Sequence, residues 1–389
     1  MDLTGKKIVV AGAGIGGLAS ALCLRRQGAD VTVLEQADAI REVGAGLQIS
    51  PNGVAVLRAL GLEPGLAANA VRGTAVVLRD YAQGAQVLRL DLNRLAPNQA
   101  YYFVHRADLV DLLAGAARDA GVQVCLLQQV ERVQPGSPPV LHLSNGAGIA
   151  ADLVVGADGL HSRARVALNG ADKPFFTEQV AWRALVPNDR GLRPEAHVFM
   201  GPGRHLVAYP LRGGRLVNLV AVQERADWAD EGWHHADDPA NLRAAFSGFG
   251  GVARDLLRQV DEVGLWGLFR HPVAQNWHGT GVAILGDAAH PTLPFMAQGA
   301  NMALEDAWVL ADCLAKNGIG EAGLASYQQA RRARVVRVID AANGNAWKYH
   351  LRPGPVRAMA HLALRMGGAL AAQRMLHQFD WIYGFDVTA

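Results

Sequence analysis

The stretch Lys7-Ile8-Val9-Val10-Ala11-Gly12-Ala13-Gly14-Ile15-Gly16-Gly17-Leu18, followed by Asp30-Val31-Thr32-Val33-Leu34-Glu35, decides the architecture. Its apolar opening reads as a buried strand and its glycines as a turn. The run from Leu18 to Gln27 has helical spacing, and a β-branched segment then reads as a second strand. This is the β-α-β unit of a parallel sheet. In Gly12-x-Gly14-x-x-Gly17 the first glycine makes a tight turn, the second lets a phosphate reach the backbone, and the third lets the helix pack close to the strand. Ile15 opens that helix, whose N-terminus attracts a pyrophosphate. Glu35 at the end of the second strand suits ribose hydroxyls and would repel a 2′-phosphate, so the unit predicts a dinucleotide of the FAD or NAD type rather than NADP.

Two further short apolar runs, Leu153-Val154-Val155-Gly156 and Val282-Ala283-Ile284-Leu285, read as buried parallel strands. Each leads into an acid and a glycine: Gly156-Ala157-Asp158-Gly159-x-x-Ser162-x-x-Arg165, and Gly286-Asp287-Ala288-Ala289-His290-Pro291. Strand ends of this kind are where open α/β sheets bind ligands. Between them, residues 175 to 268 alternate in short strands with turns such as Gly213-Gly214, which predicts an inserted antiparallel sheet. Ser50-Pro51 reads as a helix start with Ser as the cap. A long helix is expected over 297–315, another over 321–350, and a helix-rich tail from 353. The stripe Val335, Val338, Ile339 beside Arg331, Arg332, Arg334 and Arg337 reads as a packing helix rather than a basic binding site.

The 389 residues are half hydrophobic and 19% charged, which excludes a disordered chain, and a formal charge of +2 without a basic stripe argues against nucleic acid as a partner. Cys23, Cys125 and Cys313 have no pairing or ligand spacing, so no metal site and a reducing compartment, the cytoplasm, are expected. The uncharged run Ile8–Leu24 imitates a signal peptide, but its glycines and the strand after it favour the β-α-β reading. No segment offers a convincing membrane span.

Taken together, the glycine fingerprint, Asp158-Gly159-x-x-Ser162-x-x-Arg165 and Gly286-Asp287 resemble the single-component FAD-dependent aromatic hydroxylases, the group A flavoprotein monooxygenases. Closer similarity is to the salicylate hydroxylase, 3-hydroxybenzoate 6-hydroxylase and 6-hydroxynicotinate monooxygenase branch. It rests on Gly44-Ala45-Gly46-Leu47-Gln48-Ile49-Ser50-Pro51-Asn52, His105-Arg106-Ala107-Asp108-Leu109, Met296-Ala297-Gln298-Gly299-Ala300-Asn301 and the closing Trp381-x-Tyr383-Gly384-x-Asp386. The resemblance implies an α/β FAD-binding Rossmann-like domain in two parts (1–174 and 271–350), a substrate-binding β-sheet domain (175–270, with further substrate-side strands near 72–104) and a helical tail (351–389). It implies FAD as cofactor, NADH or NADPH and O2 as co-substrates, and hydroxylation of a small phenolic acid through a flavin C4a-hydroperoxide. Other flavin chemistry, an epoxidase or a dehydrogenase, and a non-catalytic FAD-binding protein stay open.

By the same resemblance, Gly12, Gly14, Ile15, Gly17, Glu35, Gln48, Arg106, Val130, Asp158, Asp287, Pro294, Gly299, Ala300 and Asn301 would hold the flavin. Gln48, Arg183, His205, Tyr209, Pro294 and Gln298 would meet the substrate, with His205, Tyr209 and Gln298 catalytic. Strand periodicity puts His205, Val207 and Tyr209 on one face, and an imidazole suits removal of a phenol proton. Trp228, Trp233, His234 and His235 read as a surface loop. The amphipathic tail from Pro353 onward suits either a homodimer seam or the cover of the protein's own core.

Overall fold

Strand Lys7–Ala11 lies inside a six-stranded sheet in the computed structural model, which describes residues 2–40, 46–225 and 236–389, with 345–347 as backbone only. The order across this sheet is His278–Gly279, Val282–Ile284, Leu153–Gly156, Lys7–Ala11, Asp30–Leu34, Gln123–Cys125. Every pair is parallel except the first, an antiparallel edge. Ile8, Val10, Val33, Leu153, Val155 and Ile284 are almost wholly buried, as continuous apolar strands covered on both faces should be. Helices Ile15–Arg26 and Gly299–Asn317 pack together beside the sheet.

Between Gly156 and Val282 the chain builds most of a second sheet, of eight strands. Its order is Ala236–Asp237, Val263–Arg270, Phe175–Pro187, Leu216–Glu224, Arg204–Leu211, Glu195–Gly201, Ala75–Asp80, Gln86–Asp91. Two of its strands thus come from the first part of the chain, and Ala75–Asp80 joins parallel to Glu195–Gly201. One face packs Trp182, Phe199, Leu206 and Leu219 against Leu242, Phe246 and Phe249 of the segment that holds helices Pro239–Ala245 and Gly251–Arg258. The other face packs Val220, Val222 and Trp266 against Leu293 and Phe295. Cross-strand partners His205 with Val222 and Tyr209 with Asn218 set the register. His205, Val207 and Tyr209 therefore share the face opposite that of Leu206 and Ala208, as the alternation predicts.

A small sheet of Gly46–Ile49, Tyr102–His105 and Val71–Arg72 adjoins the strand that carries Tyr209. Helix Pro355–His377 lies along the edge strand Gln86–Asp91, with Leu376 in a cluster with Leu88 and Leu90. It covers a row of backbone groups that would otherwise template another strand. The tail thus covers this protein's own core, while Val356, Met359, Leu362, Met366 and Leu370 stay exposed on its outer side. Among the described residues no helix is long and apolar enough to cross a membrane. Residues 41–45, with Gly44 and Ala45, and the tryptophan-histidine segment 228–235 lie outside the described residues.

Ser50 departs from its expected role. It stands before helix Pro51–Ala59 but makes no capping bond. Its hydroxyl donates to Asn52 Oδ1 at 2.6 Å and accepts from Gln298 Nε2 at 2.9 Å, so a tertiary pair has displaced the local cap.

Candidate functional site

The glycine turn is as tight as its sequence suggests. A Cβ on Gly17 would stand 1.9 Å from the Gly12 carbonyl oxygen, and Gly12 has φ +101°. A Cβ on Gly14 would meet nothing within 4 Å, so this side of the loop opens into a cradle. Glu35 reaches back to the loop: Oε2 accepts from Ala13 N at 2.8 Å and Oε1 from Ala37 N at 3.0 Å. Its carbonyl accepts from Gln128 N, and Val130 begins the strand two residues on. The loop, the ribose-type acid and Val130 are thus tied into one rim.

Asp158 and Asp287 differ in where their carboxylates point. Asp158 accepts from Ser162 Oγ and from the Arg163 and Ala164 amides, at 2.7 and 3.3 Å for the amides, closing the start of helix Arg163–Asn169. Burial raises its pKa, and these bonds oppose the rise. Its influence on a ligand therefore runs through the backbone it shapes. Arg165 of the same motif crosses to the other strand end, donating to the Pro272 carbonyl at 2.8 Å and to those of Ala288 and Ala289 at 3.3 Å. Asp287 instead makes no hydrogen bond among the described residues, and its side chain is exposed. The surrounding protein raises its pKa, with His290 and Arg106, at the start of helix Arg106–Asp119, pulling the other way. An open carboxylate acceptor at a strand end suits the hydroxyls of a sugar-like chain.

The turn Pro294–Met296 and left-handed Ala297 (φ 52°) lead into helix Gly299–Asn317. The first amides of that helix, at Gly299, Ala300 and Asn301, have no acceptor within it and form its positive end. Asn301 is held from the side: Oδ1 accepts from Ser50 N at 3.0 Å and Nδ2 donates to the Gln48 carbonyl at 3.1 Å. Gln48 Oε1 accepts from the Tyr101 hydroxyl at 2.8 Å. Gln298 is 3% exposed, and its amide pairs with Ser50 and with Asn52 Nδ2 at 3.1 Å. It is engaged in setting the helix start.

Sequence reasoning missed the ionic layer beneath this start. Glu305 accepts from Asn52 Nδ2 at 2.6 Å and from Arg334 in a two-bond fork at 2.8 and 2.9 Å, and pairs with Arg331 at 2.6 Å. Asp306 accepts from Arg331 Nε at 2.7 Å and the Gly286 amide at 3.1 Å, and bonds His290 Nε2 at 2.5 Å. Glu305, Asp306 and Arg331 are wholly buried. Glu and Asp in helix register with two arginines of a later helix were the available signal.

The substrate-side candidates gather on the inner face of the large sheet. Arg183 pairs across to Val220 and thence to Val207, so it stands on the face of His205 and Tyr209. Its guanidinium lies 4.9 Å from the Trp266 ring centre, and burial lowers its pKa to about 10. Tyr209 packs on Phe103 at 5.2 Å, and burial pushes its hydroxyl pKa up. His205 sits between Phe295 (5.6 Å) and Tyr349 (5.4 Å), and burial lowers its pKa well below the usual value, with His350 adding to the effect. A guanidinium, a neutral imidazole and a phenol on one dry face can grip a carboxylate, accept a proton and hold an aromatic ring. Pro294 lies in the turn that carries Phe295 onto this face.

The FAD binding domain family matches residues 6–342. Over 97% of this chain and 95% of the relative, the sequence is 37% identical to 3-amino-4-hydroxybenzoate 2-monooxygenase of Streptomyces cremeus. It is 34% identical to 3-hydroxybenzoate 6-hydroxylase of Polaromonas naphthalenivorans, over 98% of this chain and 96% of that one. The fold superposes with a TM-score of 0.85 on the crystal structure of Klebsiella pneumoniae HpxO complexed with FAD and uric acid, at 24% identity and covering 97% and 96% of the two chains.

Proposed function

Because the chain belongs to the FAD binding domain family, and within it to the FAD-dependent aromatic monooxygenases, we propose that it hydroxylates a phenolic benzoate held on the inner face of the large sheet, 3-amino-4-hydroxybenzoate being the first to test. The observation that carries this reading is the trio of a half-buried Arg183 with the buried His205 and Tyr209 on one sheet face. The enzyme uses FAD, with NADH or NADPH as the reductant. The residues present fit FAD: the open cradle at Gly14 admits a pyrophosphate, Glu35 and Asp287 offer acceptors to the two hydroxyl-bearing parts, and the positive end of helix Gly299–Asn317 suits the negative charge of a reduced ring. When bound, FAD takes hydride from the nicotinamide and activates O2 for transfer to the ring.

Arg183 holds the substrate carboxylate, Tyr209 and Phe103 bound the ring, and His205 takes the phenol proton, making the ring electron-rich as oxygen arrives. Asp158 and Arg165 fix the two strand-end loops against each other, and Gln298 and Asn52 fix the helix start. The apolar neighbours Phe295 and Trp266 keep water from the reacting centre. The free thiols of Cys23, Cys125 and Cys313 suit the cytoplasm. A homodimer fits the exposed stripe of the tail helix.

The test is NADH oxidation by the FAD-loaded protein with 3-amino-4-hydroxybenzoate, 3-hydroxybenzoate, salicylate and 6-hydroxynicotinate, scoring hydroxylated product against hydrogen peroxide. Stimulation with product from at least one acid is expected, and none from any of the four overturns the reading. Arg183→Met is expected to raise KM for the responsive acid about tenfold or more with a smaller change in kcat, and to leave the matching carboxamide unaffected.

The cradle gives its own result. In Gly17→Ala the added methyl meets the Gly12 carbonyl, so the turn must open. The purified protein is expected to carry less than about a tenth of the wild-type flavin absorbance per chain, because the phosphate cradle depends on that turn.

A further inference from the structure

His205 is one end of a chain of hydrogen bonds that leaves the site. Its Nδ1 lies 2.8 Å from His350 Nε2, and His350 Nδ1 lies 2.7 Å from Glu224 Oε1. Exposure rises along the chain, from 2% for His205 and 6% for His350 to 53% for the Glu224 side chain. The three come from strand Arg204–Leu211, the residue that follows helix Glu321–Tyr349 and strand Leu216–Glu224. One residue fixes the two outer members: Gly203 N donates to the His350 carbonyl at 3.1 Å, and the Gly203 carbonyl accepts from Glu224 N at 2.9 Å.

The bonds also dictate where the protons are. An ionised Glu224 can only accept, so His350 carries its proton on Nδ1 and offers a lone pair at Nε2. His205 must then carry its proton on Nδ1, which leaves the lone pair on Nε2. Both imidazoles are kept neutral. Burial lowers the pKa of each, and Arg204 lowers that of His350 further against the pull of Glu224. His205 also packs against the rings of Phe295 and Tyr349, the latter held protonated by burial that raises its pKa to about 12.

We propose that His205, His350 and Glu224 form a proton exit through which the substrate phenol loses its proton to solvent, an assignment that rests on the phenolic substrate above. The phenol O–H bond breaks as an N–H bond forms at His205 Nε2. The proton on His205 Nδ1 passes to His350 Nε2, and the one on His350 Nδ1 passes to the Glu224 carboxylate, which releases it to water. The net change is one proton passed from the phenol to water: the phenolate carries the new negative charge, Glu224 is ionised again, and both imidazoles end neutral with their tautomers exchanged. Reverse transfer onto the product oxygen resets them. His350 and Glu224 act through His205 and are positioning residues.

Two measurements test the exit. Nitrogen-15 NMR of the histidine-labelled, FAD-loaded enzyme without substrate is expected to show His205 and His350 both protonated at Nδ1, and a His205 protonated at Nε2 overturns the assignment. In turnover of 3-amino-4-hydroxybenzoate, Glu224→Gln, a change at a half-exposed position, is expected to lower kcat about three- to tenfold at unchanged KM, because the positive intermediate on His350 loses its counter-charge, and to move the acid limb of the kcat profile to lower pH, because without the pull of Glu224 the resting imidazole takes a proton only at lower pH. His350→Ala is expected to lose more and to recover with added free imidazole. A wild-type pH profile in Glu224→Gln, or no rescue of a folded His350→Ala, overturns the exit. A wild-type enzyme inactive on all four acids counts against the substrate reading, while the tautomers still judge the exit.

Discussion

His205→Ala is expected to slow ring hydroxylation by about 10²- to 10⁴-fold, the range for loss of a positioned general base, with FAD content and KM close to wild type. The residue stands on the inner face of the large sheet, whereas the cradle is built by Gly12 to Gly17, Glu35 and Asp287 on the other sheet. Removing the imidazole leaves a gap beside Phe295 and Tyr349 and a loose His350, but no unpaired charge. The measurement is product formed per NADH consumed, with flavin absorbance read on the same sample. Reductant consumption that continues while product falls and peroxide rises places the defect at the phenol proton. Loss of flavin in step with loss of product would move His205 out of the reaction and into the fold.

Arg331→Leu is expected to destabilise the protein by about 3–5 kcal/mol, because it strands two carboxylates that the core has already stripped of water. Glu305 would keep Arg334 and Asn52, and Asp306 would keep His290, so the cost falls mainly on Asp306. Urea denaturation read by flavin release and by tryptophan fluorescence checks the magnitude, and a midpoint within experimental error of wild type would refute it. The same layer gives a pH dependence. Burial alone would raise the Asp306 pKa, yet His290 and Arg331 hold it at about 2. With its unfolded value at about 3.9, its share of stability is complete above that pH and is lost as pH falls towards 2. Arg331→Leu should therefore flatten the acid limb of the stability curve.

The β-α-β unit and the two strand-end motifs were legible because each is set by neighbours in sequence: a strand period, a turn that admits glycine, a helix start. The shared face of His205 and Tyr209 was legible for the same reason, since alternation is a local rule. Ser50 was misjudged where a distant partner, Gln298, competed with the local cap. The ionic layer of Glu305, Asp306, Arg331 and Arg334 has its own helical spacing in view, but its pairing needs two helices to cross. His350 lies 145 positions from the histidine it touches, and no local rule could join them.

The central sheet sets an order of assembly. Lys7–Ala11 pairs with Leu153–Gly156, and that strand must in turn receive Val282–Ile284, from which six of the eight strands of the large sheet separate it. The entropy of closing so long a loop falls before the final parallel pair returns anything. Condensing the insert on its own helices first shortens the effective loop, so the last parallel pairing is the slow event. On a ribosome, the Gly12–Gly17 turn emerges early and waits for residues 282–306 before its cradle has a far wall. Flavin capture then reports that the segment 282–306 has taken its place.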